Sequence, residues 1–425
     1  MSRFIVIVIA GLLVAPSMAR GDGMISYHVE IGDAEIVPVE AEVQRAVLWY
    51  RDGIWELTLQ PVFPRAEGEA AWIVSFPVVP EIEARNVAFL DELEALTAPV
   101  FVPYCVELEA GGWFGCAGSA VDEARQVLPG AVTHGVTVWE AGVTDELEYV
   151  VLEAAGADAL IAWLEENQYQ VPEALQQQPQ LLQAQFIFAA KLSGNLDPEA
   201  PLSPLAFRLP GIAFEDIAYP LRLTALVAPD DGMELVLWVV TEDQALLPRT
   251  VPWLPYSGGQ EVSQERWAAN TALVRKAFPP SGGLILGYSG ALQSNPIYSG
   301  AEVFPPGPGF AVSAAELGLD RRSTWDDGIL EMISSGATVA RFQGVLGADA
   351  MEQDLAFETA SFEELPGVDN FFWEKVSCGK IDDGMEATVS RADPPIRRSM
   401  RYAGGFAVIA LGLLAGLLVL RRVHG

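Results

Sequence analysis

Three cysteines, three histidines and one serine set between glycines are the groups in this chain whose types invite chemistry. Leu284, Ile285 and Leu286 run strand-like into Gly287, Tyr288, Ser289, Gly290 and Ala291. That order is a degenerate form of the turn that lifts a hydrolase serine between a strand and a helix. Its partners fail. The histidine required after the serine would be His424, beyond a long apolar segment, and Pro296 cuts short the helix such a turn should feed. Tyr288 to Ala291 recurs at Tyr298 to Ala301, which reads as loop chemistry. His28 and His134 sit in no motif, so no catalytic residue is assigned.

Cys105 and Cys116 flank a loop containing Gly111, Gly112, Trp113, Phe114 and Gly115. In an oxidising compartment they are disulfide candidates, and closing that loop would stabilise the fold by roughly 3 kcal/mol. Three cysteines allow three pairings, and this one leaves Cys378 over. No Cys and His spacing forms a metal site. Asp230-Asp231-Gly232 and Asp382-Asp383-Gly384 resemble half of a calcium loop but lack its alternating oxygen ligands, and read as turns. Phosphate-cradling and dinucleotide-binding glycine patterns are missing, so no cofactor is expected. The net charge of -32 excludes nucleic acid as a partner, because phosphate binding needs a Lys and Arg stripe that 25 basic residues against 57 acidic ones do not supply.

The elements read as α+β: antiparallel sheets with hairpins and packed amphipathic helices, plus one C-terminal transmembrane helix. Ile54 to Gln60 alternates strictly, with Trp55, Leu57 and Leu59 on one face and Glu56, Thr58 and Gln60 on the other, the pattern of a half-buried strand. Val43 to Tyr50 is its hairpin partner across Asp52 and Gly53. Ala71 to Val79 adds a strand. Asn86 begins a helix with Phe89, Leu90, Leu93 and Leu96 in one stripe. Val136 to Ala141 pairs with Leu147 to Leu152, and Asp158 caps a helix carrying Leu160, Ile161, Trp163 and Leu164. Gln185 to Leu192 is a strand, Leu221 to Val227 forms a hairpin with Glu234 to Val240, and a helix runs from Gln264 to Phe278.

Both ends carry targeting signals. Arg3, the apolar run Phe4 to Ala15, and small residues at Ser17 and Ala19 predict a signal peptide over 1–19. Tyr402 to Leu420 is free of charge and about 28 Å long as a helix, enough to cross a bilayer. Gly412 and Gly416 stand in the G-x-x-x-G spacing that would let two copies pack as a homodimer through this segment, although glycine is common in membrane helices, and a second reading makes the segment a disposable C-terminal sorting tag. Between these ends lie a main ectodomain (20–278), a Pro and Gly rich connection (279–309) and a smaller part (310–390), with 421–425 as a cytoplasmic tail. The ectodomain would then be extracytoplasmic, anchored in a bacterial cytoplasmic membrane.

Several stretches together resemble the bacterial family called domain of unknown function 2330: Trp72 to Pro77 with Pro80, Phe89 to Pro99, Asp158 to Tyr169, Tyr219 to Ala225 and Thr338 to Phe357. The resemblance implies a secreted or anchored protein over most of 25–365, a single folding unit, and no established activity. The reading is therefore a non-enzymatic envelope protein whose ectodomain binds another protein, a glycan or the cell wall. The competing reading is an enzyme with an unfamiliar carboxylate-based or metal-assisted site.

Overall fold

The computed structural model describes residues 43–60, 70–104, 136–182, 186–192, 202–229, 232–256, 282–295 and 325–368, with single breaks at 145, 168, 170 and 172. It also describes strands at 21–29, 35–38, 132–133, 302–303, 312–313, 371–375 and 390–391. The expected segments 1–19 and 402–420, Cys105, Cys116, Cys378, His134, Gly412, Gly416 and the helix over 264–278 lie outside the described residues. Among those residues no helix is long and apolar enough to cross a membrane.

The chain is mostly sheet with a few helices. One sheet has the spatial order β2 (Glu35–Pro38), β1 (Gly21–Val29), β5 (Ala70–Phe76), β11 (Phe186–Leu192), β10 (Leu147–Ala154), β9 (Val136–Val143), β8 (Val132–Thr133), antiparallel throughout. The other runs β16 (Trp253–Pro255), β17 (Gly282–Ala291), β20 (Thr338–Leu346), β14 (Met233–Thr241), β3 (Val43–Arg51), β4 (Ile54–Gln60), β12 (Leu205–Leu209), β6 (Glu81–Ala84). This second sheet is mixed, because β14 lies parallel to β3 and β16 parallel to β17. Strands from both sides of the Pro and Gly rich passage share it, and β17 comes from the passage itself.

Smaller sheets complete the set. β7 (Val100–Tyr104) lies between β22 (Phe371–Lys375) and β23 (Ser390–Arg391). β21 (Leu355–Ala360) joins β13 (Ala218–Tyr219) to β15 (Ala245–Pro248), and β18 (Glu302–Val303) pairs with β19 (Val312–Ser313).

Period-2 patterning puts apolar rows on the two facing sheets, and they meet in one core: Trp72, Val74, Phe76, Tyr149, Val151 and Phe188 from the first, Leu48, Trp55, Leu57, Leu237, Leu286 and Phe342 from the second. Helices cover the outer faces. α1 (Phe89–Thr97) and α4 (Asp327–Ser335) pack on the second sheet beside Val47, Trp49, Trp238 and Val339. α2 (Ala157–Glu166) and Leu175 of α3 (Glu173–Gln177) pack on Ile73, Leu152 and Ile187 of the first. The layers are helix, sheet, sheet, helix.

Local chemistry explains most elements. Asp52 and Gly53 both have positive φ (51° and 76°), the turn that a two-residue hairpin between β3 and β4 needs. The α1 stripe Phe89, Leu90, Leu93 and Leu96 is fully buried. At its end the Thr97 hydroxyl donates to the Leu93 carbonyl (2.7 Å) and accepts from the Trp238 indole (2.8 Å), while Asn295 Nδ2 donates to the Leu96 carbonyl (2.9 Å). The Asn295 bond satisfies a carbonyl that the helix end leaves open.

Four expectations change. β4 is buried on both faces, with Glu56 only 1% exposed, because Arg51 and Arg85 close over Glu56 and the Leu202 carbonyl over Gln60 on the side read as solvent-facing. Thr224–Val227 is a 3-10 turn and no hairpin partner of β14: Leu221 and Leu223 are buried, and the Asp354 carboxylate accepts from the Leu221 amide (3.0 Å). α1 starts at Phe89, after Asn86 Oδ1 accepts from the Ala88 amide (2.9 Å). Gly156, with no side-chain bond, stands at the α2 N-cap, so Asp158 lies within the first turn.

Candidate functional site

The polar row of β4 starts the largest ionic cluster among the described residues. Register puts Glu56 between Trp49 of β3 and Arg208 of β12. Arg51 Nη2 donates to Glu56 Oε2 (3.0 Å) and Arg85 Nη2 donates to Oε1 (2.5 Å). Arg51 also reaches Glu331 of α4, and its guanidinium lies 4.2 Å from the Trp49 ring centre. Burial would lower the Arg51 pKa, but the bonds to Glu331 and the charge of Glu56 outweigh it and hold the pKa above its ordinary value.

Asp326 links this cluster to α4. Its carboxylate caps the helix by accepting from the Gly328 amide (2.8 Å), and its own amide donates to Glu92 of α1 (2.5 Å). Burial raises the Asp326 pKa above the ordinary carboxylate value, opposed by the Gly328 bond and by the Arg85 charge. The chemistry is that of a clamp: two arginines and four carboxylates stitch α1 and α4 to the sheet.

A second ionic set lies further along α1. Arg341 of β20, almost wholly buried, bonds Glu94 through Nη2 (2.7 Å) and Nε (3.4 Å), and Gln343 through Nη1 (2.8 Å). Gln343 in turn donates to Glu234 (2.9 Å). Arg45 of β3 is 5% exposed and spends Nη1 on Asp91 (2.8 Å), leaving Nε and Nη2 without a partner. That docking is costly, since unmade bonds of buried donors count against the fold.

The glycine-flanked serine is no elbow. Ser289 sits within β17 opposite Ala340, and that strand continues to Ala291, so the loop reading of this stretch is corrected by the pairing of β17 with β20. Its hydroxyl donates to the Pro366 carbonyl and accepts from the Val368 amide (2.9 Å), tying residues 366–368 to the sheet. His28 is a β1 residue opposite Ile36. Gly232, with φ of 89°, closes a turn in which its amide donates to the Pro229 carbonyl (2.9 Å). Among the described residues no three His, Cys, Asp or Glu side chains are grouped to hold a metal. An apolar crevice lined by Leu57, Phe76, Leu209, Ile212 and Ile217 offers about 10 Å³, room for one water at most.

The surface shows its most distinctive feature on β9. A β-bulge against β10, where the register shifts between Val151 and Leu152, turns Trp139 outward. The indole is 52% exposed, yet it is held: Nε1 donates to Glu153 (2.8 Å) and the ring meets Phe186 edge-on at 5.9 Å. Val143, on the same strand, is 61% exposed. Tyr149 passes over Gly142 and donates to Glu140 (3.1 Å), a close approach that only a residue without Cβ permits. Sequence reasoning placed the hairpin but missed the site, because bulge position depends on pairing register. A large aromatic among acidic residues in a short strand was the available signal.

A model of uncharacterised proteins conserved in bacteria (DUF2330) matches residues 33–249. The chain belongs to this family. The match runs from β2 to β15 and contains Arg51, Glu56, Arg85 and the β9 edge. α4, β17, β20 and β21, which supply Asp326, Glu331 and Arg341, lie beyond it, so the DUF2330 match stops short of the expected 25–365. Neither the comparison with curated proteins nor that with solved structures gives a match.

Proposed function

We infer that this DUF2330 protein is an exported envelope protein, anchored by residues 402–420, whose ectodomain binds another protein, a glycan or the cell wall. The observation that carries the binding role is Trp139, held rigidly by Glu153 and Phe186 while half of its surface faces solvent. Aromatic side chains presented in this way lose little freedom on docking and dominate recognition surfaces. Arg51, Arg85 and Arg341 point the same way, since each pairs with a carboxylate of another element. The apolar runs at 4–15 and 402–420 support export and anchoring.

The test has two arms. A reporter fused just before Arg397 should be active outside the cytoplasm, and activity confined to the cytosol removes the export reading. Crosslinking in intact envelopes through a photoreactive residue at position 139 should give a discrete adduct that the same probe at exposed Glu358 does not. Identical patterns at both positions would remove the binding reading.

A further inference from the structure

We propose that the outer edge of β9, from Val138 to Val143, is a docking edge for an extended, basic segment of a partner protein, which adds to the sheet as a strand. The inference rests on the binding role above and names the partner's chemistry. β8 covers β9 only at Val132 with Thr137 and Thr133 with Val136. Beyond Thr137, no strand among the described residues pairs with that side of β9. Uncovered edges ordinarily carry Lys, Pro or a bulge to prevent pairing, and here the guard is the bulge at Trp139 with Glu140 beside it, while residues 141–143 have none. The sequence VTVWEAGV of β9 has neither Lys nor Pro.

Two of the five large apolar side chains that are exposed among the described residues, Trp139 and Val143, stand on this one edge. Strand addition would use the open main-chain groups for affinity and these side chains for selectivity. Charge selects the occupant. Residues 136–154 contain Glu140, Asp145, Glu146, Glu148 and Glu153 and no basic residue, and Glu148 stands opposite Val143 in the ladder. Lys191, the neighbouring cation, stands directly opposite Glu148 on β11, over the Tyr169 ring and bonded to the Asn167 carbonyl, so Glu148 is already matched and the acidic excess lies with Glu140 and Glu153. A Lys or Arg of an added strand beside Trp139 would meet the open indole face and the Glu153 carboxylate bonded to it, an arrangement that favours cations. A second copy of this chain would instead oppose like charges across the new pair.

The test uses the full chain and an eight-residue peptide alternating Lys with Thr and Val, against the same peptide with Glu in place of Lys. The Lys peptide should bind saturably, slow amide exchange at 138–143, and weaken as salt rises. Trp139→Ala should weaken it about tenfold or more, as truncating a central aromatic does. Val143→Lys, a substitution on an exposed side chain that installs the usual edge protection, should do likewise while leaving the thermal melt unchanged. Equal binding of the Glu peptide, or binding without protection at 138–143, overturns the proposal. Protection of that edge by raising protein concentration alone overturns it too, since a second copy would then be the occupant. An adduct at position 139 in envelopes combined with no peptide binding would end this inference and leave the broader binding role standing.

Discussion

Neutralising Glu56 should unfold the protein far more readily than neutralising any surface carboxylate. The side chain is 1% exposed, and its two oxygens take Arg51 at 3.0 Å and Arg85 at 2.5 Å. Glu56→Gln keeps the shape but removes the charge that both guanidinium groups face. Arg51 retains Glu331, whereas Arg85 is left with the more distant charge of Asp326. Breaking a buried pair from one side costs about 3 to 5 kcal/mol, and the surviving Arg51 bond places Glu56→Gln at about 3. Urea unfolding followed by tryptophan fluorescence should show this as a midpoint lower by about 1 M at unchanged slope. Glu83→Gln on the exposed face of β6 is the control, expected within about 0.5 kcal/mol of the parent. Replacing both partners, Glu56→Leu with Arg85→Met, should recover much of the loss, because an apolar pair leaves no charge unpaired. If Glu56→Gln costs less than about 1 kcal/mol, the cluster behaves as a solvated surface pair and the clamp reasoning fails.

Other substitutions separate charge, geometry and burial. Asp326→Ala should cost about 1 kcal/mol by removing the α4 cap, whereas Asp326→Asn keeps the acceptor for the Gly328 amide and should cost little. The Asp326 pKa is raised in the folded state, so the stability it contributes is complete below its unfolded value and is lost as pH rises through the folded one. Asp326→Asn should therefore gain on the parent across that window in melts taken from about pH 3 upward. Gly142→Val puts a Cβ 2.4 Å from the Tyr149 ring; a loss of about 1 to 3 kcal/mol is expected, and its disappearance when the same change is made in a Tyr149→Ala background would confirm the clash as its source. Burial, aided by Glu148, pushes Tyr169 up to about 12 from 10.0, so its contribution persists below the lower value and is lost on approach to the higher. Tyr169→Phe should flatten alkaline unfolding between them, and an unchanged alkaline limb would refute the assignment.

Local patterns fixed what local physics controls. Strict alternation from Ile54 to Gln60, Asp52-Gly53 between strands and the three-and-four spacing from Phe89 to Leu96 each produced the element expected, because pleat, turn dihedrals and helical periodicity act over a few residues. Leu221 to Val227 failed because buried apolar residues at short spacing fit a 3-10 turn as well as a strand, and only the Asp354 carboxylate 133 residues away favours the former.

Order likewise argued against a hydrolase elbow at Ser289, which pairs within β17, and motifs across the chain marked it as a DUF2330 member. What the sequence could not supply is which residues meet. Glu56 looked solvent-facing until Arg51 and Arg85 closed over it and α4, some 270 residues later, brought Glu331 to Arg51. Trp139 was one aromatic among many until pairing register placed a bulge beneath it and, among the described residues, paired only the start of β9 with β8. Period and charge are written in neighbouring residues, whereas burial, ion pairing and open edges are set by long-range packing, where the second sheet and its helices draw on distant parts of the chain.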